Sequence, residues 1–377
     1  MARFCKAKTF FQFFKFRINI LINVTKTYLP PFEEYSAILK RAWDKSWITN
    51  NGELVQELEQ KLKEYLGVKH LWFTSNGTVV LQIALKALNI TKEVITTPFS
   101  YVATTNAILW EGCTPVFVDV ERNTCCVDAL KIEAAITENT QAILLTHVYG
   151  LPCDIDKIES IAVKHNLKVI YDGAHAFGCN YKGKALLSFG DISTCSFHAT
   201  KLFHTVEGGS IICNDDELAN KLLLYRQFGH IGEDYYSMGI NGKNSEFHAA
   251  MGLSVLPKIG EIIAKRKQVS ELYDSLLNFN EISKPVIPAD TFYNYGYYPV
   301  IFKNEQIVLQ VMEALLQNKV SARRYFYPSL NRLPFLDKYQ PCGISESISS
   351  RVLTLPLYDD LAESDTRRIA DIVNQQL

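Results

Sequence analysis

Between residues 70 and 171 short runs of uninterrupted apolar residues alternate with stretches of helical periodicity, and few folds accept that pattern. His70-Leu71-Trp72-Phe73, Glu93-Val94-Ile95-Thr96-Thr97, Pro115-Val116-Phe117-Val118, Ala142-Ile143-Leu144-Leu145-Thr146 and Leu167-Lys168-Val169-Ile170-Tyr171 read as strands. Thr78 to Leu88, Tyr101 to Trp110, Ala129 to Ile136 and Ile155 to His165 read as the helices between them. A strand that is apolar on both faces must be covered on both faces, so this alternation specifies an α/β fold with a mostly parallel central sheet between helical layers. Ligands of such sheets bind beyond the carboxyl ends of the strands. A further strand is expected at Asp191 to Cys195, and the pattern fades near Cys213.

Outside this region the organisation changes. Residues 32–45 and 53–66 have helical spacing (Leu54, Leu58, Leu62, Leu66) and are joined by the turn Asn50-Asn51-Gly52. Helices are expected at Glu217 to Phe228, Phe247 to Arg266 and Glu305 to Gln317, with a strand from Tyr297 to Phe302. The expected division is an extension at 1–21, a helical segment at 22–66, a large α/β domain at 67–260 and a small C-terminal α+β domain at 261–377.

The residues just past the strands carry the chemistry. Ser75-Asn76-Gly77-Thr78 opens a helix, where unpaired N–H groups and the positive dipole end suit a phosphate. Gly77 lets the backbone approach an anion and Thr78 adds a hydroxyl, although an ordinary helix cap uses the same residue types. Pro98-Phe99-Ser100-Tyr101 sets an aromatic ring where a flat heterocycle would stack, or where a core aromatic would sit. Tyr171-Asp172-Gly173-Ala174-His175 ends a buried strand with a carboxylate, which is costly there without a cation such as a pyridinium nitrogen. His175 is then in reach of the ring's phenolic oxygen. Ser196-Phe197-His198-Ala199-Thr200-Lys201 ends in a lone lysine, and the Ser196 hydroxyl suits a phosphate. An amine in a poorly hydrated pocket loses preference for its charged form, attacks a carbonyl and holds a cofactor as a Schiff base. Phosphate, ring face, ring nitrogen and Schiff base together specify pyridoxal 5'-phosphate.

Composition narrows the alternatives. A formal net charge of -1 over 377 residues argues against nucleic acid as a partner, which calls for a clustered basic face. No apolar run reaches the roughly 18 residues of a membrane span. Nine scattered cysteines without a Cys-x-x-Cys pair fit a reducing, cytoplasmic setting, and eight histidines show no metal-ligand spacing, so no metal is expected. His198 and His204 flank Lys201 without defining a metal site. Residues 1–21 interleave Arg3, Lys6, Lys8, Lys15 and Arg17 with six phenylalanines. Lys15 and Arg17 interrupt any signal-peptide core. A membrane-surface tail and a loosely ordered extension both fit, and the second is the expectation.

The chain from about residue 23 resembles the DegT/DnrJ/EryC1/StrS nucleotide-sugar aminotransferases, of the aspartate aminotransferase-like fold (fold type I). The resemblance rests on Thr49-Asn50-Asn51-Gly52, Ser75-Asn76-Gly77-Thr78, Thr97-Pro98-Phe99-Ser100-Tyr101-Val102-Ala103-Thr104, Asp172-Gly173-Ala174-His175, Ser196 to Lys201 and Gly239-Ile240-Asn241-Gly242-Lys243. It implies Lys201 as Schiff-base lysine and proton shuttle, Asp172 on the ring nitrogen and His175 by the phenolic oxygen. It further implies Gly77, Thr78 and Ser196 on the phosphate, and Tyr101 on the ring. Asn241 would reach the phosphate in a neighbouring subunit, making a homodimer with shared sites. The implied reaction takes an amino group from L-glutamate to a keto-sugar nucleotide, foremost a dTDP-linked 4-keto-6-deoxyglucose for surface polysaccharide. C-3 amination and a UDP-linked substrate stay open in the sequence. Lysine at 201 argues against the dehydrating branch, which carries histidine. The full set of site residues argues against a non-catalytic regulator on the same fold.

Overall fold

The computed structural model describes residues 21–377, so the extension read over 1–21 lies, Leu21 aside, outside the described residues. Seven strands form one sheet: β1 (His70–Thr74), β2 (Glu93–Thr96), β3 (Thr114–Phe117), β4 (Thr140–Thr146), β5 (Lys168–Asp172), β6 (Ile192–Ser196) and β7 (Gly209–Cys213). Their order is β1-β7-β6-β5-β4-β2-β3, and only β7 runs against its neighbours. The sheet is mostly parallel, as the alternation requires.

The apolar runs divide between two cores by strand pleat. Ile143 and Leu145 of β4 enter one apolar layer, while Ala142 and Leu144 enter the other. A third core lies beneath a two-stranded antiparallel sheet, where Tyr298 and Val300 pair with Leu355 and Leu353 and pack on Val311 and Ile369. Its second strand, Val352–Leu355, was not expected from the sequence, because it abuts the helix Gly343–Arg351 with no turn residue between them.

The two N-terminal helices, α1 (Phe32–Asp44) and α2 (Glu53–Leu66), pack on a long helical stretch from Glu246 to Leu276. That stretch passes through a 3-10 turn at Leu256–Lys258 and runs ten residues beyond the expected end at Arg266. Its length and a mean hydropathy of 1.2 over one 18-residue window match a membrane span, yet 56% of that window is buried inside the protein, as in a core helix. The Glu246 carboxylate, fully buried, accepts the amides of Leu54 (2.7 Å) and Val55 (3.3 Å) and so caps α2 from a distant helix. Gly52 is required beside it, since a Cβ there would lie 2.6 Å from the Glu246 carboxyl carbon.

One buried ion pair ties α2 to the sheet. Arg226, 1% exposed, is paired through Nη1 with Glu59 and donates from the same nitrogen to the Phe73 carbonyl at 2.9 Å. Glu59 Oε1 accepts the Phe73 amide at 2.8 Å. Removing one partner leaves the other charge stranded in a dry interior, which costs about 3–5 kcal/mol. Glu59→Ala is therefore expected to lower unfolding stability by about that amount in a urea titration, and Glu59→Met with Arg226→Met to recover most of it.

Candidate active site

The carboxyl ends of β1, β2, β4, β5 and β6 surround one cavity of about 260 Å³. Gly77, Thr78, Tyr101, Asp172, His175, Ser196 and Lys201 all line it, and Asn241 does not. The Asn241 side chain is exposed, on a segment whose Gly242 carbonyl accepts the Ser75 amide at 2.9 Å.

Asp172 is buried at the middle of the sheet. Its Oδ2 accepts the Thr104 hydroxyl at 2.7 Å, and its Oδ1 accepts the Ala174 amide at 3.1 Å. Burial pushes this carboxyl above the ordinary carboxylate range, and Thr104, the Ala174 amide and Lys201 only partly offset that. The site thus retains an unmet demand for positive charge beside Asp172, which a protonated ring nitrogen would satisfy.

His175 presents one fixed tautomer. Its Nδ1 accepts the Tyr149 amide at 3.1 Å, so the proton of the neutral ring sits on Nε2. Burial, with Lys201 nearby, holds the imidazole well below its ordinary pKa. Phe326 stacks on the ring at 5.6 Å and 3°. Tyr149 reaches this geometry with φ of 56°, a left-handed backbone that a bulky residue rarely adopts and that is tolerated where the surroundings enforce it.

Lys201 corrects the simplest sequence argument. Burial does disfavour its charge, but the Tyr297 oxygen, which accepts Nζ at 3.1 Å, together with Asp172 and Tyr325, outweighs it. The net effect raises the amine above its ordinary value rather than lowering it. The phosphate end is also corrected. The Thr78 and Val79 amides are not open, since Asn76 Oδ1 accepts both at 2.9 Å. Gly77 instead serves close approach: a Cβ there would lie 2.6 Å from Ser196 Cβ. The loop after β1 and the end of β6 therefore touch, and Thr78 and Ser196 both line the cavity. Tyr101 stands at the rim, 53% exposed, directly before the helix Val102–Trp110. A lysine amine, a buried carboxylate, a fixed imidazole and the hydroxyl-bearing Thr78 and Ser196 on one cavity fit a phosphorylated pyridine aldehyde.

Three contributors escaped the sequence reading. Thr104 lies one helical turn past Tyr101 in a quoted motif but carried no signal of its own. Thr146 ends β4, which was read only as a strand. Tyr297 begins an apolar strand-like run, where a tyrosine looks like core. His204 stands apart from the cavity chemistry, with Nε2 donating to the Tyr28 carbonyl at 2.6 Å.

The architecture and the site together define a fold type I, pyridoxal phosphate-dependent aminotransferase. Residues 32–374 match the model of the DegT/DnrJ/EryC1/StrS aminotransferase family, and the chain belongs to that family. It is 40% identical to the dTDP-4-amino-4,6-dideoxy-D-glucose transaminase of Escherichia coli, over 93% of this chain and 98% of that one. It is 33% identical to the GDP-perosamine synthase of Escherichia coli O157:H7, over 88% and 92% of the two chains. Among solved structures it resembles DesI in the presence of its TDP-sugar product, with a TM-score of 0.89, 32% identity, and 96% and 93% of the two chains covered.

The Tyr297 contact is open to a direct test on cofactor-free protein. Pyridoxal phosphate reacts with the neutral amine, so removing the oxygen that favours the charged amine should make uptake easier. Tyr297→Phe is expected to shift the pH midpoint of the cofactor uptake rate downward and to speed uptake several-fold at neutral pH, read from the growth of visible absorbance. An unchanged midpoint would show that the phenol does not hold the amine.

Proposed function

We propose that this chain transfers an amino group from L-glutamate to a keto-deoxysugar nucleotide, foremost dTDP-4-keto-6-deoxyglucose, giving dTDP-4-amino-4,6-dideoxyglucose for surface polysaccharide. The observation that carries this reading is the meeting of the Lys201 amine and the Asp172 carboxylate on one cavity. The 40% identity to a transaminase of that name supports the choice of sugar. Amination at C-3, or a UDP-linked acceptor, is the alternative within the family, where UDP-N-acetyl-3-dehydro-alpha-D-glucosamine 3-aminotransferase of Acidithiobacillus ferrooxidans is a relative at 32% identity.

Pyridoxal phosphate supplies a carbonyl that receives the amino group and a ring that accepts the electrons released at the donor's α-carbon. The protein's residues set up the rest. Lys201 Nζ would hold the cofactor's carbonyl carbon and, as a free amine, would serve as the base that carries the proton from the donor's α-carbon. The second half runs in reverse on the keto sugar, and the two halves give ping-pong kinetics. Tyr297 receives the amine while it is free. Asp172 would stabilise positive charge on the ring nitrogen, and His175 would donate from Nε2 to the phenolic oxygen. Thr78 and Ser196 would donate hydroxyls to the phosphate, with Gly77 keeping their loops in contact, and Tyr101 would cover the ring face. We assign the cofactor to a large domain over residues 67–260 and the rest to a small domain over 261–377, a boundary that falls inside the helical stretch Glu246–Leu276. The enzyme works in the cytoplasm.

Lys201→Ala is expected to abolish both turnover and the visible absorbance of bound cofactor while preserving the fold. Presented with glutamate and a panel of keto-sugar nucleotides, the wild-type protein is expected to aminate the dTDP-4-keto-6-deoxy sugar, with the amine at C-4 by NMR. Amination elsewhere selects the alternative, and persistence of amination in Lys201→Ala would overturn the mechanism.

The working form in this proposal is a homodimer in which Asn241 of one subunit reaches the phosphate held by the other. Support comes from the exposed position of Asn241 and from the exposed apolar side chains around it, Ile231, Tyr235, Tyr236 and Met238. Mixing Lys201→Ala with Asn241→Ala protein should restore activity, because a mixed dimer contains one site with both residues intact. No recovery after verified subunit exchange would rule out shared sites.

A further inference from the structure

Asn294 is 1% exposed, and both of its N–H donors and its oxygen are committed to backbone. Its Nδ2 donates to the carbonyls of His175 at 2.9 Å and Phe177 at 2.8 Å, and its Oδ1 accepts the Gly296 amide at 2.9 Å. Two carbonyls and one amide leave the side chain a single orientation, because only its nitrogen donates and only its oxygen accepts. No other donor among the described residues reaches either carbonyl. Both lie in a buried loop just past β5, where an unpaired carbonyl is costly.

The segments joined in this way carry two groups of the site. One is the loop of His175, whose ring is fixed through Nδ1 by the Tyr149 amide. The other is the turn that delivers Tyr297, whose oxygen accepts Lys201 Nζ at 3.1 Å. That turn bends at Tyr295, which has φ of 52°, and the Asn294 oxygen closes it onto Gly296. The Tyr297 ring then lies 4.4 Å from the His175 ring. Two other bonds hold the turn, from the Tyr293 phenol to the Tyr297 carbonyl and from Arg266 Nη1 to the Gly296 carbonyl, and at 3.3 Å both are long. The three bonds of Asn294 are shorter, and they alone tie the turn to the loop of His175. The space there is closed: a Cβ on Gly150 would lie 2.8 Å from the His175 carbonyl oxygen and 3.3 Å from Asn294 Oδ1.

Asn294 does not line the catalytic cavity, so it acts through the groups it holds. Tyr297, Asp172, Tyr325, His175 and Cys195 are the titratable groups that influence Lys201, and only the Tyr297 oxygen accepts a hydrogen bond from its amine. We propose that Asn294 is a positioning residue that holds the Tyr297 phenol and the His175 imidazole in one fixed relation at Lys201. The assignment rests on the transaminase reading above and names a residue outside the cavity on which the geometry of that site depends.

The test measures the pH midpoint of pyridoxal phosphate uptake by cofactor-free protein. Asn294→Ala and Asn294→Ser are each examined alone and combined with Tyr297→Phe. The serine hydroxyl donates to at most one of the two carbonyls and is the milder change, which keeps the measurement open if Asn294→Ala does not fold. A phenol released from its anchor favours the charged amine less. The midpoint in Asn294→Ala is therefore expected to fall by about 0.3–0.7 pH units, with uptake at neutral pH about two- to fivefold faster. Asn294→Ser should move it the same way by less. Combined with Tyr297→Phe, neither substitution should move the midpoint further, because the phenol through which Asn294 acts is gone. Lost unfolding stability with an unmoved midpoint would make Asn294 a purely structural residue and overturn the proposal. An equal shift with and without the phenol would overturn it as well. Wild-type protein that takes up no pyridoxal phosphate would overturn the transaminase reading itself, whereas normal uptake with an unmoved midpoint overturns the Asn294 assignment alone.

Discussion

Burying Asp172 is the constraint around which the site is organised. A carboxylate at the centre of a sheet that is covered on both faces loses its water, and two neutral donors do not replace it. The same residue supports the architecture: it ends β5, its carbonyl accepts the His147 amide at 3.1 Å, and the Gly173 amide closes onto Thr194 of β6 at 2.8 Å. Strand pairing therefore places the acid where only a cationic partner relieves it. Lys201 lies close enough to favour its charged form, yet that amine is committed to Tyr297. A buried carboxyl with two neutral donors is what sets this end of the sheet apart from a packing core.

The architecture was legible because both of its signals are periodic. Apolar runs such as 142–146 cannot lie on a half-exposed strand, and Leu54, Leu58, Leu62 and Leu66 return at helical spacing. The site was legible where one residue type suffices, as at Lys201 and Asp172. It was not legible where the role depends on what folds against the residue. Thr104 matters because a helix start brings its hydroxyl to Asp172 across 68 positions, and Tyr297 because a strand of the small sheet brings it to Lys201 across 96. The charge of Lys201 was misjudged for the same reason: local composition announces desolvation, whereas the opposing oxygens come from elsewhere in the chain. Asn76 illustrates a finer limit, since a Ser-Asn-Gly-Thr run cannot reveal which of its members caps the helix and which faces a ligand.

Aromatic residues join the catalytic face to the small sheet. His175, Tyr149, Phe326, Tyr297 and Tyr325 form a chain of ring pairs with centroids 4.4 to 6.2 Å apart; Phe326 lies near-parallel to His175 and Tyr149, and Tyr325 meets Tyr297 and its neighbour Phe326 edge-on. Such a wall stacks Phe326 on a neutral imidazole and sets the Tyr325 ring beneath the Arg323 guanidinium without adding charge of its own to the cavity.

The cap on α2 has a consequence for how the chain is made. Leu54 receives its partner from Glu246, 192 positions downstream. A ribosome that has released the first two helices has not yet made the carboxylate that completes the second of them. The face that α2 turns to β1 finds Leu71 and Phe73 soon after it is made, whereas the face that packs on the helix from Glu246 waits for that residue. Completion of the cap on α2 is thus a contact of high order, formed only after 192 further residues have left the ribosome.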